Sequence, residues 1–289
     1  MDFSDFKRRS KTSLDELSKK IQESSGSKDS YKDDRFWKPE LDKSSNGYAV
    51  IRFLPAPPNE ELPWAKLYSH AFQAKGGWFI ENSRTTLGEK DPVSEMNSEL
   101  WNSGLESDKD IARARKRKLQ YISNILVISD PANPQNEGKV FLYKFGKRIF
   151  DKIQEAMEPE FADEEAIEPF NFWTGANFKL KVRKVAGFIN YDKSEFDSLS
   201  PLFDGDDAQL EELWKKQYPL KPFTDPSNFK SYDELKERLN TVIGDDIRYT
   251  DVPKDTAENV SLDPEPSKVT PEISEETDTL DYFQKLSQE

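Results

Sequence analysis

The chain has no cysteine and one histidine in 289 residues. Without thiols there is no disulfide framework, no cysteine nucleophile and no thiolate for a zinc ion, and a single His removes most histidine-based catalysis. A reducing compartment fits this composition. Apolar residues are also scarce, at 35% against 34% charged, so part of the chain is expected never to join a packed core. No apolar run approaches the roughly 20 residues that a bilayer span requires. The opening Met1-Asp2-Phe3-Ser4-Asp5 lacks the basic-then-apolar order of a signal peptide. The expectation is a soluble intracellular protein with no membrane partner.

Flat rings, by contrast, are plentiful: 6 Trp, 10 Tyr and 19 Phe, any of which can pack in a core or stack on another flat group. Charge is segregated. The net charge is -13, but residues 251–289 hold 11 acids and 3 bases, leaving -5 for the preceding 250 residues. Within those, cations form three blocks: Lys7-Arg8-Arg9-Ser10-Lys11, Arg113-Ala114-Arg115-Lys116-Arg117-Lys118, and Lys179-Leu180-Lys181-Val182-Arg183-Lys184. One such block is ordinarily a solvated face; three near aromatic strands suggest a polyanionic partner.

Residues 1–32 are polar, with one helical signal: Ser13 and Glu16 have capping-box spacing, and Leu14, Leu17 and Ile21 share a face. From Tyr48 to Val185 the apolar runs are short, β-branched and aromatic: Tyr48 to Leu54, Lys66 to Phe72, Trp78 to Glu81, Tyr121 to Ile128, Lys139 to Phe145 and Asn177 to Val185. The expected fold class is mostly β with flanking helices, built on a small barrel. Alternation in Asn177 to Val185 sets Phe178, Leu180 and Val182 against Lys179, Lys181 and Arg183. In Lys139 to Phe145 it places Phe141, Tyr143 and Phe145 on one face, which suits core packing and base stacking equally. Gly146-Lys147-Arg148 leads into a helix with Ile149, Ile153 and Met157 in line. After Asp192 the pattern turns helical, with Leu210, Leu213 and Trp214 in one segment and Leu235, Leu239 and Val242 in another that Ser231 and Glu234 can cap. Beyond Gly244 the chain is acidic and Pro-interrupted until Leu280, Phe283 and Leu286, whose spacing allows one short amphipathic helix.

The stretch Tyr121 to Lys152, YISNILVISDPANPQNEGKVFLYKFGKRIFDK, resembles the core of the T-even-type bacteriophage single-stranded DNA-binding (helix-destabilising) proteins. Phe6 to Ile21 is similar to that family's basic arm, Gly47 to Pro55 to its first strand, and Gly175 to Tyr191 to a later core stretch. The resemblance covers residues 6–195 in patches. It implies an OB-fold-like core over residues 33–250, a cooperativity arm over 1–32 and an acidic partner-binding tail over 251–289. Base-stacking rings then fall on Trp78, Phe79, Trp101, Tyr121, Tyr143, Phe145, Phe188 and Tyr191. Phosphate-binding cations fall on Arg115, Lys116, Arg117, Lys118, Lys144, Lys181 and Arg183. Lys7, Arg8, Arg9, Ser10 and Lys11 carry cooperativity, and Leu280, Phe283 and Leu286 anchor partners in the tail. The implied partners are single-stranded DNA, the protein itself as a filament or a dimer off DNA, the phage polymerase, helicase and helicase loader, recombination proteins and its own messenger. The implied location is the cytoplasm of the infected bacterium.

Three positions depart from the family pattern. The aromatic pair at Tyr121 is here Tyr121-Ile122, and a ring is missing near Ala112. The third departure concerns zinc, which the family binds through one His and three Cys. His70 remains, but Ser83 and the Asp91-Pro92-Val93-Ser94 stretch stand where the cysteines belong. No zinc is expected, and the subdomain near residues 70–105 is expected to be held by packing alone.

Two other classes compete with this reading. A metal-dependent nuclease would use Asp204-Gly205-Asp206-Asp207 or Gly244-Asp245-Asp246, although neither has calcium-loop spacing and acidic turns are common helix starts. A protein-interaction adaptor would use the rings as a docking surface. The expectation is a binding protein and not an enzyme.

Overall fold

The computed structural model describes residues 33–161 and 165–244. The Ser13 to Ile21 helix, the arm residues Lys7 to Lys11, the tail anchors Leu280, Phe283 and Leu286, and Asp245 and Asp246 lie outside them.

All six strand signals become strands: β2 (Gly47–Phe53), β3 (Trp64–Ala74), β4 (Gly77–Asn82), β5 (Lys118–Ser129), β6 (Val140–Phe145) and β7 (Ala176–Val185). Three further strands join them. These are β1 (Phe36–Trp37), parallel to β6, and β8 (Phe188–Asn190) and β9 (Glu195–Leu199), both antiparallel to β7. The region after Asp192 thus begins with a strand where a helical pattern was expected.

The sheet order is β1-β6-β5-β2-β7-β8, with β3 and β4 branching from β5 and β9 from β7. The branch arises in β5. Its residues 121–123 pair with β3 on one edge and β6 on the other, while its residues 125–126 pair with β6 and β2. β3 and β2 therefore share one edge of β5, end to end. Among the described residues no pairing joins the two ends of this order. The architecture is an open, mostly antiparallel sheet with helices, and the closed barrel expected from the strand pattern is not present in the hydrogen-bonded ladder.

Five α-helices, with five short 3-10 turns, complete the described chain: α1 (Pro92–Asn102), α2 (Glu106–Ala114), α3 (Lys147–Met157), α4 (Asp207–Lys215) and α5 (Tyr232–Ile243). α5 starts on the anticipated capping box, with the Ser231 hydroxyl accepting from Glu234 N–H and the Glu234 carboxylate accepting from Ser231 N–H. α3 lays Ile149 and Ile153 against the main core, where they meet Phe53, Tyr121, Phe145 and Phe178. Wholly buried Arg52 reaches the other side of β2. There its Nη2 donates to the carbonyls of Asn171 (2.9 Å) and Ser200 (3.1 Å), tying the loop before β7 to the segment after β9. Among the described residues no carboxylate pairs with it, and burial lowers its pKa to about 10.

Among the described residues no helix is long and apolar enough to cross a membrane.

Candidate nucleic-acid interface

The eight expected stacking rings divide by burial. Phe79, Tyr121, Tyr143 and Phe145 are at most 6% exposed, whereas Trp78, Trp101 and Phe188 are about half exposed, at 56, 48 and 55%. Tyr191 is half-buried against the core. The buried rings spend their faces on one another. Tyr121 stacks on Phe150 of α3 with centroids 3.9 Å apart and planes 2° from parallel. Phe79 stacks on Phe72 at 5.1 Å, and Tyr143 meets Phe145 at 5.4 Å and Trp37 edge-on at 5.4 Å. All four, expected to offer flat faces to a base, are covered in this structure: Phe79 lies within the β3–β4 hairpin against Phe72, and Tyr121, Tyr143 and Phe145 lie in the main core with α3.

The exposed rings stand on edges and tips. Trp78 shares the outer side of β4 with exposed Ile80, while Phe79 between them points inward. Trp101 ends α1 beneath the Arg113 guanidinium, 5.4 Å from its ring centroid. Phe188 follows the two-residue turn Ala186-Gly187 between β7 and β8. Both turn residues have positive φ, 48° and 90°, the geometry that matches strand twist and that glycine accepts without strain.

The basic run leading into β5 lies against rings. The Arg115 guanidinium is 5.5 Å over Phe72 and that of Arg117 4.2 Å over Tyr68, while Lys66 approaches Tyr68 at 5.3 Å. Lys116 and Lys118 are exposed. Lys144 on β6 lies 5.2 Å over Phe36, and desolvation lowers its pKa, as it does that of half-buried Arg115. Lys66 and Tyr68 were not singled out by sequence, yet period 2 along β3 puts both on one face, with Tyr68 opposite Leu119, two residues after Arg117.

The β7 cations have a different setting. Lys179 Nζ is 2.8 Å from Asp197 and Lys181 Nζ 2.7 Å from Glu195, while Arg183 binds Asp192 through Nε at 2.9 Å and again through Nη2. Lys181 and Arg183, both expected to meet phosphates, thus already hold carboxylates. Exposed Tyr48 on β2 stands opposite Lys181 and is a ring that its single position in a strand run does not announce.

Inside the β3–β4 hairpin lies a polar cluster of His70, Ser83 and Asp91, each at most 2% exposed. Asp91 Oδ1 accepts from Val93 and Ser94 N–H (3.1 and 3.0 Å) and faces His70 Nε2 at 3.1 Å. Its Oδ2 accepts from the Ser83 hydroxyl (3.0 Å) and Arg84 N–H (3.1 Å). His70 Nδ1 faces the Arg115 carbonyl at 3.2 Å, and Asn97 Nδ2 donates to that same oxygen at 3.0 Å. Both ring nitrogens of His70 thus lie within hydrogen-bond distance of an oxygen, which fixes the ring between Asp91 and the Arg115 carbonyl. Burial raises the Asp91 carboxyl pKa, but the bonds from His70, Ser94 and Arg84 outweigh it and leave the value near 2. These residues do not fit zinc: the carboxylate oxygens are saturated by donors, Ser83 gives its proton to Asp91, and no thiolate is present. Packing alone is also not what holds the hairpin, since this hydrogen-bonded cluster joins β3, α1 and the start of the basic run.

The acidic cluster at Asp204 to Asp207 has local roles. Asp206 caps α4 by accepting from Gln209 N–H at 2.9 Å, and Asp207 lies in that helix's first turn. Among the described residues no three His, Cys, Asp or Glu side chains are grouped to hold a metal ion.

The geometry defines a class: sheet proteins that display cations beside flat rings along their strands. Comparison with known proteins narrows it. Residues 45–243 match the family model described as gp32 DNA binding protein like. The chain is 41% identical over 246 residues to the single-stranded DNA-binding protein of Enterobacteria phage T2, covering 83% of this chain and 80% of that one. It is 40% identical over 245 residues to the protein of the same name from Enterobacteria phage T4, covering 83% and 79%. The chain belongs to this family.

Proposed function

We propose that this chain binds single-stranded DNA cooperatively and without sequence preference, coating and protecting it during phage DNA replication, recombination and repair in the cytoplasm of the infected bacterium. The observation that carries the reading is the β3–β5 face, where both Lys66 and Arg117 bring their charges to the Tyr68 ring, 5.3 and 4.2 Å from its centroid. Cations in such a place gain free energy by releasing counterions from phosphates, and a ring stacked on an unpaired base contributes about 1 to 3 kcal/mol. Duplex DNA already stacks its bases on each other, so selectivity for single strands follows.

In this reading Lys66, Arg115 to Lys118 and Lys144 contact phosphates, and exposed Trp78, Trp101 and Phe188 stack on bases. The strand set acts as an OB-like core despite its open ladder. Residues 1–32 link neighbouring copies, and residues 251–289 recruit the polymerase, helicase, helicase loader and recombination proteins. Binding to its own messenger uses the same surface. No zinc takes part, the His70–Asp91–Ser83 cluster standing in for it, so chelator treatment leaves binding unchanged.

Tryptophan emission of the full chain, titrated with poly-dT and with duplex at two salt concentrations, tests the reading. Quenching by poly-dT that weakens with salt, and little response to duplex, is the expected result. No quenching by either would favour an adaptor, and magnesium-dependent loss of a labelled strand would favour a nuclease.

A further inference from the structure

The cations of β7 are answered one by one. Lys179, Lys181 and Arg183 project from one face at two-residue steps, roughly 7 Å apart along a strand. Asp197, Glu195 and Asp192 meet them in reverse order, as the antiparallel run through β9 requires. Backbone geometry delivers these carboxylates. β9 pairs with β7, Phe196 packs on Phe178 at 4.8 Å, and the buried Ser194 hydroxyl both accepts from Lys181 N–H (2.9 Å) and donates to Lys181 C=O (3.0 Å). The pairing draws all three carboxyl pKa values below their ordinary values, in each case chiefly through the hydrogen bond from the facing cation.

Exposed ion pairs of this kind add little to stability, and β9 is already fastened by Phe196 and Ser194. The consequence of the ladder is therefore electrostatic. A carboxylate and a phosphate oxygen ask the same thing of a guanidinium or ammonium, the bidentate fork included. Exposed Tyr48 opposite Lys181 supplies a ring beside the row, so the face has the components of a binding surface with its positive charge cancelled.

We propose that Asp192, Glu195 and Asp197 are an internal competitor of nucleic-acid phosphates that holds the β7 face out of the binding surface and limits affinity for single strands. The inference rests on the single-stranded DNA reading above and adds to it a built-in attenuator. Nucleic acid engages β7 only by displacing the carboxylates.

The test is a cycle of full-length variants: Asp192→Asn/Glu195→Gln/Asp197→Asn, Lys179→Ala/Lys181→Ala/Arg183→Ala, and both sets together. Each is titrated against a fluorescein-labelled dT oligonucleotide by anisotropy over a salt series, with folding checked by urea midpoint. The amide set is expected to bind roughly tenfold tighter at low salt, with a salt slope steeper by about 2, from about 0.7 for each phosphate newly neutralised. The alanine set is expected to cost less than about twofold in the parent and to abolish the whole gain in the amide background, a large coupling between neighbours. A folded amide variant with unchanged affinity and slope overturns the proposal, as does equal loss from the alanine set in both backgrounds. Elution from immobilised heparin separates the two readings. If the parent ignores the oligonucleotide, the binding function fails, yet later elution of the amide variant still supports competition and unchanged elution refutes it.

Discussion

Two cationic runs of this protein look alike in sequence and differ in what faces them. The run Arg115 to Lys118 leads into β5 with the Arg115 guanidinium over Phe72 and that of Arg117 over Tyr68. The row Lys179, Lys181 and Arg183 on β7 faces three carboxylates that cancel its charge. The difference teaches that a basic block advertises a polyanion site only when the facing strand is known. A cation over a ring still repels other cations and attracts phosphate, whereas a cation in an ion pair must first exchange its partner. The two rows are also held differently. The β5 run hangs from a backbone carbonyl gripped by the buried cluster, and the β7 row is set by strand pairing with β2 and β9 and by the Ser194 hydroxyl on the Lys181 backbone.

The comparison is broken most forcefully at Asp91. Asp91→Ala removes one side of a buried pair, leaves His70, Ser83 and three backbone N–H groups without their acceptor, and is expected to cost about 3 to 5 kcal/mol. Urea unfolding followed by tryptophan emission measures it. Oligonucleotide binding should fall with it, because the grip on Arg115 is lost, while the β7–β9 ladder is untouched. A change below about 1 kcal/mol would show that the cluster does not hold the hairpin.

Acid attacks the same point without a mutation. The folded carboxyl of Asp91 has a pKa near 2, against an ordinary 3.8. A depressed carboxylate stabilises the fold above the unfolded value and loses that contribution as pH falls through the folded one. About 2 kcal/mol is therefore present above pH ~4 and gone near pH ~2. Urea midpoints across that window should fall more steeply in the parent than in Asp91→Asn. Parallel curves would assign the acid sensitivity to other carboxylates.

Much of this arrangement was legible in the sequence, and its limits have physical causes. Alternation revealed β2 to β7, because period 2 in β-branched and aromatic residues has few other uses, and Ser231 with Glu234 announced α5. The α1–α2 pair was silent: of its residues only Pro92, Val93, Met96 and Ala112 are buried, too few to set a helical period. β9 was hidden because its EFDSL run places charges where they answer β7 and not where solvent alone would. Alternation also showed that Phe141, Tyr143 and Phe145 share a face, but a period cannot say which side of a sheet is covered. That depended on α3 folding back so that Phe150 stacks on Tyr121. Lys66 and Tyr68 escaped notice because their cationic neighbour Arg117 is distant in sequence and adjacent only across the β3–β5 ladder.

The contrast between the rows is sharpened by Lys66→Ala/Arg117→Ala. Both side chains flank Tyr68, so their loss should weaken binding to a dT oligonucleotide roughly tenfold at low salt and flatten the salt slope by about 1.4, or 0.7 for each lost phosphate contact. The same anisotropy series reads both quantities. A loss no greater than that of the β7 alanine set would erase the distinction between a ring-backed and a carboxylate-paired cation.

The smallest effect tests position apart from charge. Asn97 Nδ2 shares the Arg115 carbonyl with His70 Nδ1, so Asn97→Ala removes one of two donors from the point where the basic run is hung, and His70 retains the other. A single hydrogen bond of this kind contributes about 0.5 to 1.5 kcal/mol to stability, and the urea midpoint should fall accordingly. Affinity for the oligonucleotide should drop by a few fold as the run loosens. The salt slope should stay at the parent value, because no cation has been removed and the number of counterions released is the same. An altered slope would mean that the anchor decides how many of the four basic side chains reach the phosphates. An unchanged affinity would mean that packing of Arg115 on Phe72 already fixes the run, making the carbonyl grip a feature of the hairpin's stability alone.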